Sequence, residues 1–99
     1  MAEKIKGIHG VRIVVTDIQQ KGACPRGIKV GDEFLYEGDR LPSLGCPDAL
    51  YTLWPWLAVL RYGGNNPWEE DANGSRGFFR VCCQDPDSPV AFKLIRIDA

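Results

Sequence analysis

Hydrophobic residues along this chain change their period twice, and those changes mark out its elements. From Val11 to Ile18 they are β-branched and mostly alternate with polar ones, the period-two pattern of a half-buried strand. Ile28 to Tyr36 reads as two short strands broken by a Gly31-Asp32 turn. Gly77 to Cys83 alternates again, with Phe79 and Val81 predicted on one face and Phe78, Arg80 and Cys82 on the other. Val90 to Ile97 is the last strand, most simply a hairpin with the one before it.

Between these strands lies the longest apolar run, Ala49 to Leu60, and here the period becomes helical. Pro47 suits a first helical position, because its missing N–H would be unpaired there anyway. Asp48 puts a carboxylate near the positive end of the helix dipole. Gly63-Gly64 is a stop signal, so the helix is predicted over 47–62. At about 100° per residue, Leu50, Leu53, Trp54, Leu57 and Leu60 gather on one face, with Trp56 and Val59 on the opposite side. Pro55 removes a hydrogen bond to the Tyr51 carbonyl, at ~3 kcal/mol in an ordinary helix. It predicts either a kink or two short helices meeting at Trp54-Pro55. The expected fold is α+β: about five short strands in a mostly antiparallel sheet, packed on one central Pro-kinked helix, with residues 1–99 a single domain.

A helix that is apolar nearly all round is usually covered on more than one side. A chain of this length buries only about two-thirds of its unfolded surface. The pattern therefore predicts a partner or ligand surface of Trp54, Trp56, Val59, Arg61, Tyr62 and Trp68, occupied by a protein partner or a second copy. The chain's own loops are the competing cover. Arg61, on the Leu-rich side near the helix end, could bind an anion or simply pair with an acid or the last carbonyls.

Charge narrows the partners. With 12 basic and 13 acidic residues the net charge is −1, which offers no field for a phosphate backbone, so nucleic acid is not an expected partner. The apolar run is too short to span a bilayer, and the N-terminal residues have no apolar signal region. A cytoplasmic location is expected, with no membrane contact. The carboxylates Asp32-Glu33, Glu69-Glu70-Asp71 and Asp85/Asp87 fall in turns, where they most often bond backbone N–H groups or face water.

In such a compartment the four cysteines are expected as thiols or metal ligands rather than disulfides. Cys24 and Cys46 each precede a proline, and Cys82-Cys83 is a tandem pair before an Asp-Pro turn. The segments Cys24-Pro25-Arg26-Gly27, Cys46-Pro47-Asp48-Ala49, Leu53-Trp54-Pro55-Trp56, the run from Leu60 to Trp68 (Leu-Arg-Tyr-Gly-Gly-Asn-Asn-Pro-Trp) and the run from Cys83 to Phe92 carry a resemblance. Together they resemble a family of small uncharacterised proteins common in anaerobic bacteria and archaea. Its members look like Cys-Pro-x-Gly-His-Lys, Cys-Pro-x-Ala, Tyr-Pro, Leu-Arg-Tyr-Gly-Gly-x-x-Pro-Trp and Cys-Pro-Asp-Pro in turn. The match covers nearly the whole chain. Ile28 stands where the family often has histidine, which weakens a ligand or base role there, and Gln84 replaces a proline. The resemblance implies a fold neighbourhood and brings no established activity.

Three roles for the thiols stay open. Cys24, Cys46 and Cys83, with Cys82 as a fourth candidate, could hold zinc or an iron–sulfur cluster, although no Cys-x-x-Cys knuckle is present. Cys46 at the helix N-terminus could be a reactive thiol, activated by the dipole. Its only histidine partner would be His9. Or the cysteines are small buried hydrophobes. The leading expectation is a small accessory or binding module that docks through its Trp-rich helix, with a Cys-ligated metal centre as an optional feature. The alternative is a small thiol-dependent or ligand-binding enzyme using Cys46, with Trp54 and Trp56 as pocket wall.

Overall fold

The computed structural model describes residues 8–18, 27–38, 40–83 and 89–97. In chain order the elements are β1 (Gly10–Ile18), β2 (Glu33–Tyr36), α1 (Pro47–Arg61), β3 (Phe78–Cys82) and β4 (Val90–Ile97). The four strands form one antiparallel sheet in the order β2-β1-β4-β3, and α1 lies across one face of it. This is the expected α+β class, with β3 and β4 paired as the predicted hairpin.

One expected strand is absent. Ile28-Lys29-Val30 is a turn approach rather than a ladder, and Asp32 is the reason. Its carboxylate accepts from Lys29 N–H at 2.9 Å, while its own N–H donates to the Lys29 carbonyl at 3.0 Å. Gly31, at φ +93°, supplies the left-handed step that this closure requires. The backbone of this turn meets β1 at Val15, through Gly31 N–H to the Val15 carbonyl and Val15 N–H to the Asp32 carbonyl. Ile28 nevertheless drops its side chain into the core.

The core fills the space between helix and sheet. Val11, Ile13 and Val15 of β1 and Val90, Phe92 and Leu94 of β4 alternate inward, as a period of two demands. Leu53, Leu57 and Leu60 of α1 meet them, and none has any surface left exposed. Burying one such leucine stabilises by about 1.5–3 kcal/mol. That gain explains how α1 runs as one continuous element through Pro55 rather than as two short helices. Pro55 lies on the exposed side, so its ring meets solvent while the opposite face stays packed. No helix among the described residues is long and apolar enough to cross a membrane.

The helix ends by a backbone device. Gly63 adopts φ +87° and donates to the Leu60 carbonyl at 3.2 Å; Gly64 N–H reaches back to the Val59 carbonyl at 2.8 Å. These two bonds are the Schellman pattern that satisfies otherwise orphaned carbonyls. His9 N–H caps the Arg61 carbonyl at 2.8 Å, tying the segment before β1 to the same end. Beyond the glycines, Arg96 of β4 donates to the Gly64 carbonyl and to Asn65 Oδ1. Asn66, fully buried, accepts at Oδ1 from the N–H groups of Trp68 and Glu69 at 3.0 and 3.1 Å. Its own backbone pairs with Arg76 through Asn66 N–H to the Arg76 carbonyl and Arg76 Nη1 to the Asn66 carbonyl.

Two substitutions test this clamp. A Cβ on Gly64 would sit 2.6 Å from Val59 Cγ1 and 2.9 Å from the Val59 carbonyl oxygen. Gly64→Ala is therefore expected to destabilise by about 1–3 kcal/mol, the usual range for overpacking, read as a lowered urea midpoint with unchanged slope. Asn66→Leu takes the acceptor from two part-buried backbone donors, those of Trp68 and Glu69, at about 1–3 kcal/mol for the first alone. It should lower the melting temperature and shift the Trp68 fluorescence. An unchanged melting temperature would show that water replaces the amide.

Candidate functional site

Helical spacing places the residues of α1 on two unequal arcs. Ala49, Leu53, Leu57, Leu60 and Arg61 face the sheet and are buried. Pro47, Tyr51, Trp54, Pro55, Val59 and Tyr62 are exposed on the far side, with Ala58 half-buried among them. This corrects the expected stripe. Trp54, predicted with the core leucines, is 39% exposed and leans on the Tyr36 ring with centroids 5.4 Å apart. Trp56, predicted outward, turns inward instead. It packs on Phe79 at 5.0 Å and meets Trp68 edge-on at 5.9 Å. The physical cause is Phe79: β3 supplies an aromatic partner on that flank, and offset or edge contacts between rings add about 0.5–1.5 kcal/mol.

Along the first half of α1, the exposed arc joins the preceding loop to form an open groove of about 570 Å³. Leu41, Pro47, Leu50, Tyr51, Trp54 and Pro55 line it, and Thr52 contributes its margin. Tyr51 is 76% exposed and Leu41 63%, although both are large hydrophobic side chains. The Thr52 hydroxyl at its margin donates to the Asp48 carbonyl at 3.1 Å. Pro55 has no N–H to offer the Tyr51 carbonyl. Volume and lining are those of a recognition groove for apolar groups.

The remaining residues expected at the surface divide. Val59, Tyr62 and Trp68 are exposed. Arg61 is not: only 4% of it is accessible, and its guanidinium stacks over the Tyr36 ring at 4.4 Å from the centroid. It works as a cation–π pillar between β2 and the helix end.

A second cavity, of about 280 Å³, opens on the other face of the sheet between Asp71, Ser75, Gly77, Phe78, Lys93 and Arg96. Its polar groups are engaged in holding the chain together. Asp71 accepts from the N–H groups of Asn73 and Ser75, Ser75 Oγ accepts from Gly77 N–H, and Arg96 clamps the 64–65 segment. Phe78, expected on this outer face with Arg80 and Cys82, does lie there by register. It is buried because Lys93 Nζ sits 5.2 Å from its ring centroid and the loop ending at Gly77 covers it.

Among the described residues the thiols do not form a recognisable centre. Cys24 lies outside the described residues. Cys46 is the N-cap of α1, with φ −140° and ψ 108°, and makes no capping hydrogen bond. Cys83 is half-buried against the core, and its sulfur accepts from Val90 N–H at 3.2 Å. Cys82 is exposed at the end of β3. Among the described residues no three His, Cys, Asp or Glu side chains come together as metal donors. His9 and Cys46 stand at opposite ends of α1, since His9 binds the Arg61 carbonyl and Cys46 precedes Pro47. A 15-residue helix is ~22 Å long, which is too far for a Cys–His dyad.

Sequence reasoning missed two residues that matter. Asn66 and Leu41 both fall outside the predicted helix and strands, and neither carries a signal of its own there. A buried amide is invisible to hydrophobic periodicity, and Leu41 becomes part of a groove only once the loop folds against Pro47. No protein-family model, curated protein or solved structure matches this chain.

Proposed function

We propose that this chain is a small binding module that docks an apolar protein surface through the outward arc of α1. The observation that carries the proposal is the groove at Tyr51 and Trp54, continued by Leu41 and Pro47 and without a charged residue in its lining. Exposed apolar area that is contiguous and backed by a rigid helix marks interaction sites on small soluble domains. Aromatic anchors such as Tyr and Trp dominate the energy of those sites when covered.

The thiol-enzyme reading loses its only histidine to the far end of the helix. A Cys-ligated metal centre would need ligands beyond the described residues, Cys24 first among them. The docking reading gives metal no part in association. Protein purified without oxygen and then treated with a chelator is therefore expected to keep its association state, followed by sedimentation velocity. Dissociation on chelation would move the weight to the metal centre.

The central test is a double substitution, Leu41→Glu with Tyr51→Glu. Both side chains are mostly exposed, so folding stability should change by no more than about 0.5 kcal/mol. Association with whatever the native chain binds should be lost. Bait protein of each form, cross-linked in the source cells, would decide it. Identical cross-linked sets from the two baits would sink the proposal.

A further inference from the structure

The cavity on the face of the sheet away from α1 carries charges of both signs, and we infer that it binds the zwitterion of a free α-amino acid with a small aliphatic side chain. It shares no lining residue with the groove of α1.

Opposite charges on this protein otherwise close on one another. Arg80 meets Glu69 at 2.8 Å, Arg76 meets Glu70 at 3.8 Å and Arg12 meets Glu33 at 3.8 Å. Asp71, Lys93 and Arg96 line one cavity of about 280 Å³, yet among the described residues neither cation pairs with that carboxylate. Each of the three is held in its place. Asp71 Oδ1 accepts from the N–H groups of Asn73 and Ser75, both at 2.9 Å, which fixes the carboxylate to its own loop. Arg96 Nη1 and Nη2 are tied to the Gly64 carbonyl and to Asn65 Oδ1. Lys93 Nζ lies over the Phe78 ring, 5.2 Å from its centroid. Gly77 admits the guanidinium to the wall, since a Cβ there would stand 3.1 Å from Arg96 Nη2.

Holding the chain together leaves polar capacity over. Among the described residues Asp71 Oδ2 has no donor and Lys93 Nζ has no acceptor. Ser75 Oγ accepts from Gly77 N–H at 3.3 Å, while its own proton has no acceptor among them. Arg96 spends two N–H groups on the chain and keeps the others. A ligand carboxylate would accept from Lys93, Ser75 and Arg96, and a ligand ammonium would donate to Asp71 Oδ2, all in charge-assisted bonds. A simple anion would face the Asp71 carboxylate, and a simple amine would face two cations; either meets like charge. Phe78 and Ile95 supply the apolar part of the lining. The volume falls just below the roughly 300–1,000 Å³ of drug-sized sites, which leaves room for a small side chain only. Asp71, Lys93 and Arg96 are half-buried, so their charges are partly screened. A dissociation constant of roughly 1 mM is expected.

The test is a titration of the isotope-labelled full chain followed by amide chemical shifts, with L-alanine and L-valine as probes. Shifts should gather at Asp71, Gly77 and Lys93 and should saturate. Propionate lacks the ammonium and ethylamine lacks the carboxylate, so each should bind at least roughly tenfold more weakly than alanine. Inorganic phosphate should be as weak. Lys93→Gln and Asp71→Asn should each weaken alanine binding by a similar factor. The amide introduced at position 71 keeps an oxygen for the Asn73 and Ser75 N–H groups, so the loop is retained while the charge is lost. Circular dichroism checks the fold of both variants. The ligand comparison uses the native chain alone and decides the matter even where a variant is unfolded. No saturating shift with either amino acid at roughly fifty times the expected dissociation constant overturns the zwitterion site. Propionate or phosphate binding as tightly as alanine overturns it too, by making the cavity a plain anion patch. A folded Asp71→Asn variant that binds alanine as well as the native chain does the same.

Discussion

Everything in this molecule hangs on the absence of two side chains after the helix. Gly63 takes a backbone conformation with positive φ, and Gly64 approaches Val59 so closely that a Cβ would collide with it. Only that tight return lets the Gly64 carbonyl face Arg96 and sends Asn66 into the interior. Arg96 in turn lies flat on Gly77, where a Cβ would come within 3.1 Å of its guanidinium. The two glycine contacts and the arginine between them fasten α1 to β4 at the end where Leu60 and Arg61 are buried. Without the clamp the leucine face would still be attracted to the sheet, but attraction of that kind is non-directional. The clamp sets which arc faces in.

The inward arc was bound to be the leucine arc, and the tryptophans settle the finer rotation. Trp56 finds Phe79 and Trp68 on one flank; Trp54 finds Tyr36, itself held under Arg61, on the other. The helix is thereby bracketed by two aromatic groups, and what remains outward is Tyr51, Pro55, Ala58 and Tyr62. Pro55 fits the same logic. On the sheet side its missing N–H and its ring would disturb the packed turn; on the far side they face solvent or a partner.

Much of this was legible from the residues. Alternation found β1, β3 and β4, and the Pro47 and Gly63-Gly64 signals bracketed α1 to within a residue of Pro47–Arg61. Those signals are local: they depend on φ preferences and on which atoms a residue lacks. What was not legible depended on neighbours distant in sequence. Ile28-Lys29-Val30 has strand composition, yet Asp32 captures its backbone. Trp54 and Trp56 are equivalent by hydropathy, and only the position of Phe79 tells them apart. Arg61 looked like a surface cation, and the ring that holds it comes from β2. The cysteines stayed ambiguous for the same reason, since convergence of Cys46 with other donors is a property of the folded chain.

The two outer surfaces of the domain act as each other's control. The uncovered face of the sheet is also half-apolar, with Val14, Leu35 and Ile95, but charges are threaded through it. Arg12 stands beside Glu33 at 3.8 Å, Lys93 covers Phe78, and Arg80 bonds Glu69 at 2.8 Å. Such exposed pairs add little stability, so their value on that face lies in solubility and in discouraging adhesion. The outward arc of α1 carries more exposed aromatic surface and no such threading. A sequence with nearly equal numbers of acids and bases had charges to place there and placed them elsewhere. Leaving an exposed helical arc with Asp48 as its one charge carries an aggregation risk. That risk is removed when the arc is covered.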